Sequence, residues 1–445
     1  MALTRRTFLT QASLGVTAGG VAASCDLREP AAAEGKSVGQ RGSAGADSWE
    51  QIREQFALAP GLVHMSALLI SSHPKPVRDA IEEHRRALDA DPVTYLNAHN
   101  RRLQGAARAA AARYLGVETS AIALTDSTTM GLGLVYNGLR LKPGDEILAM
   151  EDDYYATHES IRLAAERTGA RVRKISLYQD SETASEDDIV QMLAQAITPA
   201  TRVVALTWVH SSTGLKIPAR QIAGMLNKLN ANRGADARIL FCLDGVHGLG
   251  NQDVAMSDLG CDFFIAGCHK WLFGPRGTGI IAAKGRAWEH LTPTIPSFID
   301  QEIRTAWFTE REPADRVNGS TMSPGGFKAF EHQWALTQAF EFHQAIGKSR
   351  IAKRTAELAA QLKEGLAKMS GVRLRTPRSE ALSAGIVCFD VDGMSPSAVV
   401  ARLSRRKLIA SVTPYARAHA RLTPSIYNTP AEVDTALREI HALAD

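Results

Sequence analysis

Little in this chain invites a metal, a disulfide framework or a nucleic acid. Only 5 cysteines occur in 445 residues, and they form neither a CxxC metal spacing nor a disulfide-scaffold pattern. Cys242, Cys261, Cys268 and Cys388 all lie within or beside apolar runs, which reads as four buried thiols. The histidines contain no HExxH arrangement, so a metal hydrolase is disfavoured and no metal is expected. Lys and Arg total 51 against 47 Asp and Glu. The basic residues are dispersed, so no polybasic stripe argues for nucleic acid. Beyond the N-terminus no apolar run approaches the roughly 20 residues that span a bilayer. The remaining composition, 45% hydrophobic and 22% charged, can bury one large core and a smaller one.

The first residues read as targeting rather than fold. Thr4-Arg5-Arg6-Thr7-Phe8-Leu9 sets twin arginines before an apolar pair, and QASLGVTAGGVAAS follows as a weakly hydrophobic stretch. This resembles a twin-arginine (Tat) export signal, which implies the Tat machinery as a partner and a periplasmic location. Ala22-Ala23-Ser24-Cys25 resembles a lipobox, with Cys25 the lipidated first residue of an inner-membrane lipoprotein and Asp26 a retention signal. Cleavage after a small-residue pattern such as Ala31-Ala32-Ala33 is the alternative. Residues 26–47 are Gly/Ala/Ser-rich, a flexible leader, so 1–47 are set apart from the fold.

From residue 75 the chain alternates helical and strand patterns. PVRDAIEEHRRALD and LQGAARAAAARYLG read as helices; then come ALTD, a helix from Thr128, EILAM, HESIRLAAERTG, VRKISLY, DIVQMLAQAI, RVVALTWV and a helix from Pro218. This predicts an α/β fold with a large, mainly parallel sheet over 75–320. Helical segments from about Phe327 to Met369, the strand GIVCFDVDG and two further helices read as a smaller α+β domain, residues 321–445 joined by 48–74.

Two strings carry chemistry. In FCLDGVHGLG and CDFFIAGCHKWLFGPRGTG, residues 241–279, an acid, a histidine and a lysine end successive apolar runs, and ligands of parallel sheets gather at the carboxyl ends of strands. A lysine there can condense with a carbonyl cofactor, its pKa lowered by burial and by a neighbouring cation, for which His269 is the candidate. Asp244 can keep a pyridine nitrogen protonated, which makes the ring an electron sink. This is the layout of a pyridoxal-phosphate site, although an Asp at a strand end is also an ordinary cap and a lone Lys an ordinary surface residue. The second string, Asp126-Ser127-Thr128-Thr129-Met130-Gly131, turns from strand to helix. Its free N–H groups and the hydroxyls of Thr128 and Thr129 can cradle a phosphate. Tyr154, after EILAM, can stack on a flat ring.

Taken in order, T-T-x-G at 128–131, D-G-x-H at 244–247, H-K-W at 269–271, G-T-G at 277–279 and R-x-T-x-x-x-Y-N-T at 421–429 resemble the class V aminotransferase family of fold-type I pyridoxal-phosphate enzymes, which includes isopenicillin N epimerase and the cysteine desulfurases. The likeness runs from about residue 58 to 440. It implies pyridoxal 5'-phosphate on Lys270, with His269, Thr128 and Thr129 on the phosphate, Asp244 on the pyridine nitrogen, His247 near the phenolic oxygen and Tyr154 stacked on the ring. It further implies Arg421 on the substrate α-carboxylate, and a homodimer in which Gly277-Thr278-Gly279 reaches the neighbouring phosphate.

The departures are specific. Gly267 stands where many members place a Ser or Thr on the phosphate, and the family's entry motif appears as Val63-His64-Met65-Ser66. ASVTPYARAHA, before Arg421, holds no cysteine; persulfide chemistry then lacks a nucleophile, and a cysteine desulfurase is excluded. The export signal with MSALLISSHP, LTDSTTMGLGL, ALTWVHSSTGLK and MSPGGFKAFEHQWAL most resembles the periplasmic enzymes that tailor the glutamyl residue of pyoverdine siderophores. The expected substrate is an amino acid or γ-glutamyl peptide with free α-amino and α-carboxyl groups, undergoing transamination, epimerisation or decarboxylation. A binding protein that kept the fold without catalysis is the rival reading.

Overall fold

The computed structural model describes residues 48–444, which belong to one compact unit. The export signal, Cys25 and the leader lie outside the described residues. After a short strand β1 (Val63–His64) come β2 (Ile122–Thr125), β3 (Glu146–Met150), β4 (Arg171–Ile175), β5 (Thr201–Thr207), β6 (Leu240–Asp244), β7 (Phe263–Gly267) and β8 (Gly279–Ala283). These seven make one sheet in the order β2-β8-β7-β6-β5-β3-β4. Pairings from β4 through β7 are parallel, and β8 alone runs against its neighbours β7 and β2. The fold is therefore the mainly parallel α/β architecture that the alternating pattern predicts. β2, β6, β7 and β8 are buried along their whole length. Helices cover both faces, which is why these strands are unbroken apolar runs rather than alternating ones.

Two elements differ from the sequence reading. GIIAA was not separated there as a strand, because five apolar residues directly behind a glycine-rich loop carry no period of their own; it becomes β8. The helix read at LQGAARAAAARYLG begins earlier, at Pro92. Asp91 caps it by accepting the Thr94 N–H at 3.2 Å, and proline fits the first helical turn, where its missing N–H costs nothing.

The C-terminal part forms an antiparallel sheet from β9 (Val372–Leu374), β10 (Val387–Val391), β12 (Ser411–Val412) and β13 (Ala420–Leu422), in the order β12-β13-β10-β9, while β11 (Leu408–Ile409) pairs in parallel with β1. Residues near the start return to this part: Arg53 pairs with Glu432 at 2.6 Å, and Ser66 bridges to Thr423. Leu358, Leu362, Phe389, Leu422 and Val433 fill the core beneath. The four cysteines after residue 48 are buried and free. Among the described residues no helix is long and apolar enough to cross a membrane.

Candidate active site

The carboxyl ends of β2, β3, β5, β6 and β7 open on one cavity. Thr128 and Thr129 reach it from the turn after β2, Tyr154 from that after β3, Asp244 and His247 from β6, His269 and Lys270 from β7, and Arg421 from β13 of the other sheet. Of the side chains that the sequence assigns to cofactor or substrate, Thr278 is the one absent from its wall. That side chain is buried, with its hydroxyl donating to the Pro275 carbonyl at 2.5 Å. Four larger clefts elsewhere hold none of these groups.

The turn after β2 leads into a helix over Thr128–Gly138, capped by the Ser127 hydroxyl, which accepts the Met130 N–H. That leaves the N–H groups of Thr128 and Thr129 for a ligand at the positive end of the helix. Thr128 Oγ1 accepts the Gly267 N–H at 2.8 Å, so its own proton remains available to an anion. A Cβ on Gly267 would stand 2.8 Å from that oxygen and 3.2 Å from the His269 ring. Glycine at 267 is thus a packing requirement: Thr128 already occupies the space that a Ser or Thr side chain would need.

Lys270 is half-buried in this wall, and its desolvation is the main reason its amine falls to about 8; Asp244 opposes the shift and Arg421 adds to it. The expectation that His269 is the responsible cation is corrected here. Burial, with Lys270 and Arg276, brings His269 down to about 4, so the ring is neutral near pH 7 and the nearby cation is Arg421. His247 lies with Nε2 3.5 Å from Lys270 Nζ, and its Nδ1 accepts the Trp271 indole N–H at 3.3 Å. Burial raises Asp244 to about 6. One of its oxygens accepts the Val246 N–H at 3.1 Å, and the other has no partner among the described residues.

Arg421 is 1% exposed. Its Nη1 donates to the Ser211 carbonyl at 2.6 Å, its Nε to Ser411 Oγ at 3.1 Å, and its Nη2 approaches the Val412 carbonyl at 3.5 Å. All three are neutral acceptors. Among the described residues no carboxylate pairs with it, and Glu432, the nearest candidate by sequence, is taken by Arg53 and Asn428. A buried guanidinium without a counter-anion costs free energy unless an anion arrives.

Sequence reasoning passed over Asp153, which accepts the Met150 N–H at 2.9 Å and the Thr207 N–H at 2.8 Å and so ties the end of β3 to that of β5. Within the run Glu151-Asp152-Asp153 nothing in the sequence marks the third acid as the buried one. Tyr415 was also missed. It stands beside Tyr154, ring centroids 6.2 Å apart, with its hydroxyl 2.7 Å from Ser211 Oγ.

These groups fit pyridoxal phosphate: a helix N-terminus with a free hydroxyl for the phosphate, a buried carboxylate for a cationic ring nitrogen, and a lysine that loses its proton near neutrality for the aldehyde. A family model described as aminotransferase class-V matches residues 71–434. Isopenicillin N epimerase of Streptomyces clavuligerus is 28% identical over 408 residues, covering 89% of this chain and 98% of that protein. A probable cysteine desulfurase of Xylella fastidiosa is 27% identical over 362 residues, covering 78% of this chain and 81% of that protein. Among solved structures, a C-DES mutant with glycine covalently linked to its PLP cofactor superposes with a TM-score of 0.78 at 21% identity, covering 87% of this chain and 98% of that one.

The relatives overturn one expectation. The missing cysteine before Arg421 was read as excluding a cysteine desulfurase, yet proteins of that name align with most of this chain. The inference failed because one absent thiol in one segment removes one nucleophile. It leaves untouched the lysine, carboxylate and guanidinium on which chemistry at an α-carbon depends.

Proposed function

This chain belongs to the aminotransferase class-V family and uses pyridoxal phosphate, and from that premise we propose that it breaks a bond at the α-carbon of a substrate with free α-amino and α-carboxylate groups. The observation that carries this reading is Arg421, buried beside Lys270 without an acidic partner. Bound pyridoxal phosphate supplies an electron sink for negative charge at the α-carbon. Lys270, with a pKa of about 8, holds or releases a proton there near neutral pH. Asp244 would hold the pyridine nitrogen, and the Thr128 helix with Thr128 and Thr129 would hold the phosphate. Arg421 orients the substrate through both oxygens of its carboxylate.

The substrate we favour is a γ-glutamyl compound, in particular the glutamyl residue of a pyoverdine-type siderophore peptide, tailored in the periplasm after export by the Tat machinery. A glutamyl joined through its side-chain carboxyl keeps both α-groups, the handle that Lys270 and Arg421 offer. We further propose a homodimer. Because the Thr278 hydroxyl is bound within its own chain, the backbone of Gly277-Thr278-Gly279 would make the contact across it. The 28% identity to isopenicillin N epimerase favours a second reading, inversion at the α-carbon.

Single-turnover mass analysis of a γ-glutamyl peptide with the yellow holoenzyme tests this. Loss of carbon dioxide, exchange of the amine for a carbonyl, or unchanged mass with inverted configuration would each identify the bond broken. Absence of any new species or spectral change with γ-glutamyl peptides would rule the substrate class out. A colourless protein that takes up no pyridoxal phosphate would support a binding protein instead.

A further inference from the structure

The loop between β12 and β13, residues 413–419, is closed at its base. The Thr413 N–H donates to the His419 carbonyl at 3.0 Å, and the His419 N–H to Thr413 Oγ1 at 2.8 Å. His419 is buried with Nδ1 2.7 Å from Asp390 Oδ1, and Arg375 Nε donates to the other Asp390 oxygen at 2.7 Å. A base held this way leaves the loop little freedom except at its tip, where Tyr415 stands.

Ser211 is where this loop meets the larger sheet. Its carbonyl accepts from Arg421 Nη1 at 2.6 Å, and its hydroxyl lies 2.7 Å from the Tyr415 hydroxyl. Arg421 is gripped on its other side by Ser411 and Val412, the residues leading into the same loop. The guanidinium therefore spans two bodies of structure, one behind β5 and one behind β12, and the Tyr415–Ser211 bond is a second tie across the same gap. We propose that Tyr415 is a positioning residue for Arg421: its hydroxyl, through Ser211, fixes the separation across which the guanidinium is presented, and so sets the preference for substrates bearing an α-carboxylate. Burial holds the phenol well above its ordinary range, so it stays an uncharged hydroxyl at working pH.

The proposal rests on reading Arg421 as the carboxylate site, and the test separates the two. L-Glutamate and 4-aminobutanoate differ by the α-carboxylate alone, and their dissociation constants can be read from the cofactor spectrum of the holoenzyme. The native enzyme should prefer glutamate. Tyr415→Phe, which keeps the ring beside Tyr154, should lower that preference about 3- to 10-fold, the value of one net hydrogen bond. Binding of 4-aminobutanoate should not change. Ser211→Ala should do the same, and the double variant no more than either single, because both act through one bond. Equal weakening of both ligands, additive losses, or an unchanged preference in Tyr415→Phe while Arg421→Ala abolishes it would overturn the role of Tyr415. If Arg421→Ala itself leaves the preference intact, it is the carboxylate reading that has failed, and Tyr415 loses its role with it.

Discussion

The Nε2 of His247 stands 3.5 Å from the Nζ of Lys270, and the opposite ring nitrogen accepts the indole N–H of Trp271, the very next residue after that lysine. The H-K-W string therefore delivers two groups to one imidazole. An accepting Nδ1 assigns the proton of the neutral ring to Nε2, facing the lysine. Burial is the main cause that keeps His247 well below its ordinary range, with Lys270, Arg421, His269 and His210 acting in the same direction. Near neutral pH the ring is an uncharged donor.

Trp271→Phe tests that assignment. The buried Nδ1 loses the one donor it has among the described residues, which should destabilise the protein by about 1–3 kcal/mol, the cost of a buried polar atom left unpaired. The freed ring can then carry its proton on either nitrogen, so the pH profile of the cofactor absorbance should change along with turnover. A variant with a lowered melting temperature but an unaltered spectrum and pH profile would show that Trp271 supports packing alone.

Capture of the cofactor should follow the ionisation of Lys270. Only the unprotonated amine attacks an aldehyde, so uptake of pyridoxal phosphate by apoprotein should rise with pH through a midpoint near 8. The two neighbours act with opposite sign. Arg421→Ala removes a cation that lowers this midpoint and should move it up, and Asp244→Asn removes an anion that raises it and should move it down. Stopped-flow uptake against pH reads both, and a midpoint in the ordinary lysine range would contradict the burial argument. Borohydride reduction followed by peptide mapping should place the pyridoxyl group on Lys270, and Lys270→Ala should fold without acquiring the colour.

Gly267→Ala probes the phosphate end. Its Cβ would come within 2.8 Å of Thr128 Oγ1, displacing the hydroxyl that accepts the Gly267 N–H and is aimed at the cavity. Affinity for pyridoxal phosphate should fall about tenfold, on the order of one charge-assisted hydrogen bond, with the spectrum of the saturated enzyme unchanged. Equilibrium dialysis of the cofactor gives the number. Unaltered affinity would mean that Thr128 takes no part in holding the phosphate.

The strands that carry the site were legible because burial on both faces writes them as unbroken apolar runs ending in polar residues: EILAM became β3, and ILFCL ended in Asp244 at the close of β6. Helix ends were legible where a cap marked them, as at Ser127 before Thr128. What sequence could not supply was meaning that arises only between distant segments. Gly267 read as a lost phosphate ligand until Thr128, far away in sequence, was found in the same space. His269 read as the cation beside Lys270 because it is adjacent in the chain, whereas the cation that acts on the lysine, Arg421, arrives from another sheet. Tyr415 and Asp153 carry no local signal, since a tyrosine in a loop and an acid among acids are both ordinary surface patterns.

Arg421 gives the last and most direct test. If it receives a carboxylate, Arg421→Ala should keep the cofactor spectrum and weaken substrate capture by about 2–5 kcal/mol, the range for losing one side of a partly buried, charge-assisted contact. Arg421→Lys should recover only part, because an ammonium cannot meet both oxygens in one plane. Stability supplies an independent readout. A ligand that binds only the native state raises the melting temperature in proportion to its affinity, so L-glutamate should raise it in the native holoenzyme and much less in Arg421→Met, whereas 4-aminobutanoate should act alike on both. In the ligand-free protein Arg421 has neutral acceptors only. Removing it therefore trades three hydrogen bonds against relief of an uncompensated buried charge, and the melting temperature without ligand should change little. A large loss of stability in Arg421→Met, together with unchanged ligand binding, would show that the guanidinium holds β13 in place and does not bind substrate.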